Sequence, residues 1–329
     1  MKCLKLNSGG SMPIVGYGTW QVEKSEDSDA LDDVLESALN VALKSGYRHI
    51  DTAVAYKNEH VIGKVINEWI SSGKVTRDEL FIVTKLPPFS NRASDVDRVV
   101  EKSLKDLQLD YIDLFLIHTP FTVIAEDESN YGTMKIDPST DNLATWKELE
   151  KQVDCGRIKA IGLSNFNIKQ IQNVLDNCRI KPDNLQIEHH LYLQQPELVD
   201  FCKDNGIVVT AYSCLGSKNN REKMAINWAK ELPEMLENEE VLSISKKHGK
   251  TPSQVLLRYI VQRDIVVIPK STNPERLALN IKLFDFELDA EDMETLKNQD
   301  AGEPGRIIRF NFFNNIFDHP EYPFEKIDC

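Results

Sequence analysis

Along the chain, short runs rich in β-branched and aromatic residues alternate with longer segments whose apolar side chains recur at helical spacing. The first kind predicts strands and the second helices, and their regular alternation predicts parallel strands joined by helical crossovers. Eight strands are expected, at Ile14–Gly18, Arg48–Asp51, Phe81–Lys85, Leu114–His118, Ala160–Ser164, Asn184–Glu188, Val208–Tyr212 and Val266–Pro269. Between them, Ala30–Ser45 carries Leu31, Val34, Leu35, Ala38, Leu39 and Ala42 at helical spacing and stops before Gly46, as a C-capping glycine requires. Val96–Leu107 repeats the pattern with Val99, Val100, Leu104 and Leu107. Thr251-Pro252 opens a further helix, with Thr251 as N-cap and Pro252 in the first helical position. Near the start, Gly9-Gly10 between two short apolar runs predicts a hairpin over Cys3–Met12 that plugs one end of the fold.

Periodicity does not separate a closed barrel from an open doubly wound sheet. The dinucleotide fingerprint of the open fold is missing, because Gly16-Tyr17-Gly18-Thr19-Trp20 supplies only two of its glycines. Polar groups, by contrast, fall at the downstream ends of successive strands: Asp51, Lys85, His118, Ser164-Asn165, Tyr212 and Lys270, with Gln186 inside the sixth. In a closed parallel barrel these converge at one mouth. The expected fold is therefore α/β, a (β/α)8 TIM barrel forming one domain over 1–329, with an N-terminal hairpin and a long C-terminal loop. Thr122–Asn142 and Asp300–Cys329 break the rhythm and are expected as long loops at that mouth. The tail's Phe310, Phe312, Phe313, Phe317 and Phe324 either wall a pocket or only dock the tail on the barrel.

A net charge of -13 disfavours nucleic acid and anionic membranes, so a polyanionic ligand needs a local basic cluster. The six cysteines are widely spaced, without a CxxC pair, and predict free thiols in a reducing compartment. Met1–Ser11 lacks an apolar leader, no 18-residue apolar run exists, and Cys329 is misplaced for prenylation, so a cytoplasmic address is expected.

Several stretches then narrow the reading. Gly16-Tyr17-Gly18-Thr19-Trp20, Tyr47-Arg48-His49-Ile50-Asp51-Thr52-Ala53, Ile161-Gly162-Leu163-Ser164-Asn165-Phe166 and Ile268-Pro269-Lys270-Ser271 stand in this order. The chain resembles the aldo-keto reductase superfamily over essentially its whole length. The resemblance implies NADPH-dependent reduction of a small-molecule carbonyl and a catalytic tetrad of Asp51, Tyr56, Lys85 and His118. In it Tyr56 is the general acid, and an adjacent ammonium from Lys85 favours its phenolate. Asp51 holds that ammonium in place, and His118 donates a hydrogen bond to the carbonyl oxygen. Cofactor contacts carried over are Thr19 and Trp20, the carboxamide trio Ser164, Asn165 and Gln186, and Tyr212 stacked on the nicotinamide ring. Ser213, Leu215 and Ser217 match the loop over the pyrophosphate. Lys270, Ser271, Thr272 and Arg276 match the clamp on the 2′-phosphate that favours NADPH, which is the basic cluster required above. Asn280 fits the adenine contact, although Leu279 stands where the family often has an acid.

The substrate pocket is expected to include Trp20, Tyr56, His118 and Thr119. Thr119 replaces a tryptophan found in relatives that reduce small aldehydes, and Ala55 a bulkier residue, so bulky or steroid-like ketones are expected alongside aromatic aldehydes. The texture is similar to insect members of the family, among which are 3-dehydroecdysone reductases, and a monomer suits fold and resemblance. Other readings stay open: a plain ion pair for Asp51 and Lys85, a core histidine at His118, a Schiff-base barrel enzyme using Lys85, or a cofactor-binding regulatory subunit without turnover. Glu188-His189-His190 is not expected to bind metal, because adjacent strand residues point to opposite faces. Glu234–Glu240 is expected as a solvated charge run.

Overall fold

The computed structural model describes residues 2–20, 28–125, 131–218, 221 and 232–325. Eight parallel strands pair in sequence order: β1 (Gly16–Gly18), β2 (His49–Asp51), β3 (Phe81–Leu86), β4 (Ile112–Ile117), β5 (Ile158–Ser164), β6 (Asn184–Glu188), β7 (Val208–Tyr212) and β8 (Val266–Val267). The two outer strands then meet. Val15 bridges Val267 in parallel, and the Val267 N–H donates to the Ile14 carbonyl at 2.9 Å. This closure decides for the barrel, the choice that periodicity left open. β3 and β4 are buried at every position, as expected of strands covered on both faces. β8 ends earlier than expected because Pro269 has no N–H to extend the ladder, although its carbonyl accepts the Gly18 N–H at 3.4 Å.

Around the barrel lie α1 (Ser28–Lys44), α2 (Glu59–Ser71), α3 (Val96–Leu107), α4 (Asn142–Asp154), α5 (Ile168–Asn177) and α6 (Pro196–Asp204), followed by α7 (Glu239–His248), α8 (Pro252–Gln262), α9 (Pro274–Asn280) and α10 (Ala290–Lys297). α1 ends at a glycine in the left-handed region, Gly46 at φ 101°. α8 begins with a reciprocal cap: Thr251 Oγ1 accepts the Gln254 N–H, and the Gln254 side chain accepts the Thr251 N–H. The N-terminal hairpin pairs Cys3–Lys5 with Ser11–Pro13 around Gly9 at φ 90°. Its Met12 is fully buried, with Asn184 Nδ2 of β6 donating to its sulfur at 3.7 Å, so the hairpin closes the end where the strands begin.

One expectation is corrected, and one left open is narrowed. The segment after β4 is not all irregular, since Thr122–Ile124 pairs antiparallel with Lys135–Asp137; three-residue strands leave too short an alternation to read. In the tail, Phe310 and Phe313 are buried against Phe121, at 5.1 and 5.8 Å between ring centroids, so their first role is docking. No helix among the described residues is long and apolar enough to cross a membrane.

Candidate active site

Closure brings the strand ends together. Lys85, on β3, is completely buried; its Nζ donates to Asp51 Oδ1 at 2.6 Å and to the Thr52 carbonyl at 2.8 Å. The second Asp51 oxygen accepts from Gln186 Nε2 at 2.7 Å. Burial holds the Lys85 amine below its ordinary range, against the opposing pull of Asp51. Beyond β2 the chain makes one tight turn, Val54–Tyr56, stopped by Lys57 at φ 57°. The turn sets Tyr56 at the mouth, with the Lys85 ammonium 5.3 Å from its ring centroid. His118 directly follows β4, and its ring stands edge-on to that of Tyr56 at 5.8 Å and 74°. Burial, then the charge of Lys85, push His118 well below the usual imidazole range, so it is neutral at physiological pH. Trp20 lies beside Tyr56 at 6.4 Å between rings. The four expected catalytic residues and Trp20 are thus gathered from four parts of the chain.

The expected cofactor residues flank this cluster. Asn165, at φ 65°, donates from Nδ2 to the His118 carbonyl at 2.8 Å and to Ser164 Oγ at 3.1 Å. Its Oδ1 accepts the Tyr212 hydroxyl at 2.7 Å. Past β7, Ser213 at φ 53° and Ser217 at φ 45° join Oγ to Oγ at 3.0 Å, with Leu215 half-buried between them. Past β8, Lys270, Thr272 and Arg276 are exposed, while Ser271 turns its Oγ to accept the Asn273 N–H at 3.1 Å. Thr19 is buried and spends its hydroxyl on the Asp51 carbonyl at 2.9 Å, so it shapes the site rather than offering a free donor. Thr119, expected in the pocket wall, is buried, with its hydroxyl donating to the Phe121 carbonyl at 3.0 Å.

Residues 14–301 match the Aldo/keto reductase family. The chain belongs to that family. The NAD(P)H-dependent D-xylose reductase I,II of Candida tropicalis is 42% identical to it, over 94% of this chain and 94% of that protein. A Bombyx mori aldo-keto reductase solved in complex with NADP matches with a TM-score of 0.85 at 36% identity, covering 98% of this chain and 99% of the other. An aldo-keto reductase solved with NADPH matches at 0.87 and 38% identity, covering 100% and 95%.

As an aldo/keto reductase the protein is an oxidoreductase, and its residues fit a phosphorylated dinucleotide. Asn280 is buried with its Oδ1 lacking a partner among the described residues, which leaves an acceptor open beside the expected adenine position. The exposed cations Lys270 and Arg276 lie on the same stretch as Asn280. One support escaped sequence reasoning. Asn58 accepts the Thr52 hydroxyl at 2.7 Å and donates to the Thr19 carbonyl at 3.0 Å, tying the loops after β1 and β2 beneath Tyr56. A polar loop residue two positions past Tyr56 gave the only hint of it. In the aldo/keto reductase Glu188 pairs with His190 Nε2 at 2.9 Å, and His189 lies 3.5 Å from Arg263. No group able to hold a metal ion occurs among the described residues. In the charge run, Glu237, Glu239 and Glu240 are exposed as expected, while the half-buried Glu234 pairs with Arg221 at 2.5 Å.

Proposed function

We propose that this aldo/keto reductase reduces aldehydes and ketones to alcohols with NADPH, and that Tyr56 donates the proton. The observation that carries the reading is the fully buried Lys85–Asp51 pair at 2.6 Å, with its ammonium against the Tyr56 ring. NADPH, when bound, supplies the hydride. A cation beside a phenol stabilises the phenolate, so Tyr56 releases its proton to the carbonyl oxygen as negative charge develops there. Asp51 favours the charged amine and so opposes the burial that lowers it. Neutral His118 retains one ring N–H, enough to orient the carbonyl oxygen beside Tyr56. Ser164, Asn165 and Gln186 would hold the carboxamide and Tyr212 the ring. Ser213, Leu215 and Ser217 would cover the pyrophosphate, Lys270 and Arg276 the 2′-phosphate, and Asn280 the adenine.

Bulky ketones, steroid-like ecdysteroids among them, are proposed alongside aromatic aldehydes; the small Ala55 beside Tyr56 supports the bulkier pocket. The enzyme is read as a cytoplasmic monomer with free thiols. The competing reading, a cofactor-binding subunit without turnover, is tested by the same measurement. With 4-nitrobenzaldehyde, Tyr56→Phe should lower kcat/KM by about 10²–10⁴-fold and leave the NADPH dissociation constant unchanged. Equal consumption of NADPH by both proteins would remove Tyr56 from the chemistry.

A further inference from the structure

The tail over the mouth has little regular structure of its own, with three-residue turns at Glu303–Gly305 and Ile316–Asp318. Farther along it is held by His319 on the Asp137 carbonyl at 2.8 Å and by Gln170 on the Glu321 carbonyl at 3.0 Å, whereas its first crossing of the strand ends is held at one residue of β6. Alternation along that strand sends Asn184, Gln186 and Glu188 inward in successive layers: Asn184 reaches Thr210 Oγ1 at 2.8 Å, Gln186 reaches Asp51, and Glu188 lies nearest the mouth. The Glu188 carboxylate is fully buried. Its Oε1 accepts the Ile307 N–H at 2.6 Å and His190 Nε2 at 2.9 Å, and its Oε2 accepts the Ile308 N–H at 2.8 Å. The adjoining Arg306 is bound to Glu303 and donates to Gln195 Oε1 at 3.1 Å, while Gln195 donates back to the Glu188 carbonyl at 2.6 Å. Just beyond Ile308, Phe310 sits at φ 60°, an uncommon conformation for a bulky residue, packed on Phe121 three positions after His118. Across the sheet, Glu188 is in register with Tyr212.

We propose that Glu188 is a positioning residue that fixes the height of the tail over the carbonyl pocket, and so sets KM for bulky carbonyls without touching substrate or cofactor. The proposal rests on the reductase reading above. Two consecutive backbone N–H groups held by one buried carboxylate form a charge-assisted clamp that defines where the tail starts across the mouth. A glutamine of the same shape offers one acceptor oxygen and an NH₂ group, so one tail N–H then faces a donor and Ile307–Ile308 must shift. Asp51, Tyr56, Lys85 and His118 lie on or just after β2, β3 and β4, and keep their geometry.

The test is Glu188→Gln, assayed with 4-nitrobenzaldehyde and the bulkier 2-acetylnaphthalene. Expected are a KM for the ketone at least tenfold higher, and kcat for both carbonyls and the NADPH dissociation constant within threefold. Amide exchange should rise at least tenfold over 305–313 and stay unchanged over β3 and β4. An unchanged ketone KM, or kcat and NADPH affinity falling together with it, would overturn the proposal, since a merely structural glutamate gives one of those patterns. Should the variant not fold, exchange in the wild type decides. Ile307 and Ile308 amides must exchange at least a hundredfold more slowly than those of the exposed Asn311 and Asn314, and equal rates sink the clamp. If the wild type reduces neither carbonyl, the reductase reading fails, while the exchange comparison still judges the clamp by itself.

Discussion

Replacing Lys85 by methionine separates the structural and chemical duties of the buried pair. Methionine fills a similar volume, so the change removes the ammonium and its two hydrogen bonds, at 2.6 Å to Asp51 and 2.8 Å to the Thr52 carbonyl. Asp51, itself only 2% exposed, is left with Gln186 as its remaining side-chain donor. Stripping one partner from a buried pair costs about 3–5 kcal/mol, because the other charge stays behind without compensation. Lys85→Met should therefore lower urea-unfolding stability by about that amount. Adding Asp51→Asn should restore most of it, since no charge then remains buried. Activity should behave differently: kcat with 4-nitrobenzaldehyde should fall by about 10²–10⁴-fold in the single variant and stay low in the double. Urea melts followed by circular dichroism, together with steady-state rates on the same preparations, provide the measurement. A double variant as unstable as the single, or one that regains turnover, would refute the assignment of charge compensation to Asp51 and of catalysis to the ammonium.

Three further outcomes follow from the geometry. Arg276→Ala should weaken NADPH binding by about 10–100-fold, the worth of one charge-assisted contact, and leave NADH binding unchanged; equal losses for both would move the 2′-phosphate elsewhere. Burial lowers the buried His49 to a pKa of about 4, so the unfolded chain binds its proton first as pH falls below 6.5. Stability is then complete above about pH 6.5 and should drop by about 3 kcal/mol on acidification to pH 4, with His118 acting in the same direction; a His49→Gln protein that kept the full slope in urea melts would contradict this. Thr119→Trp should depress turnover of 2-acetylnaphthalene while sparing 4-nitrobenzaldehyde, and parallel rates for the two would show that the residue under the mouth does not set pocket size.

The strand-end positions of Asp51, Lys85 and His118 were legible because alternation is local, whereas their grouping with Tyr56 as a tetrad came from the family resemblance. Once a strand is recognised, the side chain at its downstream end is known, and Asp51, Lys85 and His118 each fell there. Tyr56 stood out for a different reason, as an aromatic in a loop with no strand face to fill. Helix caps were equally local: Thr251 and Gln254 are three residues apart and bind each other. Glu188 was visible only as the end of a strand beside two histidines, because its partners are backbone N–H groups 119 and 120 residues away, and backbone groups carry no residue signature. The burial of Thr119 and the small hairpin after β4 were hidden likewise, since each depends on what the folded chain lays over it.

By itself, then, the sequence determined the eight βα units, the end of each strand that carries chemistry, and the residue types that meet there. Tertiary structure alone decided that the outer strands close through Val15 and Val267, that Lys85 loses all contact with water, and that Glu188 holds the tail. The division is physical: side-chain direction and capping are set within a few residues, whereas burial, charge compensation and backbone pairing exist only once distant segments have been brought together.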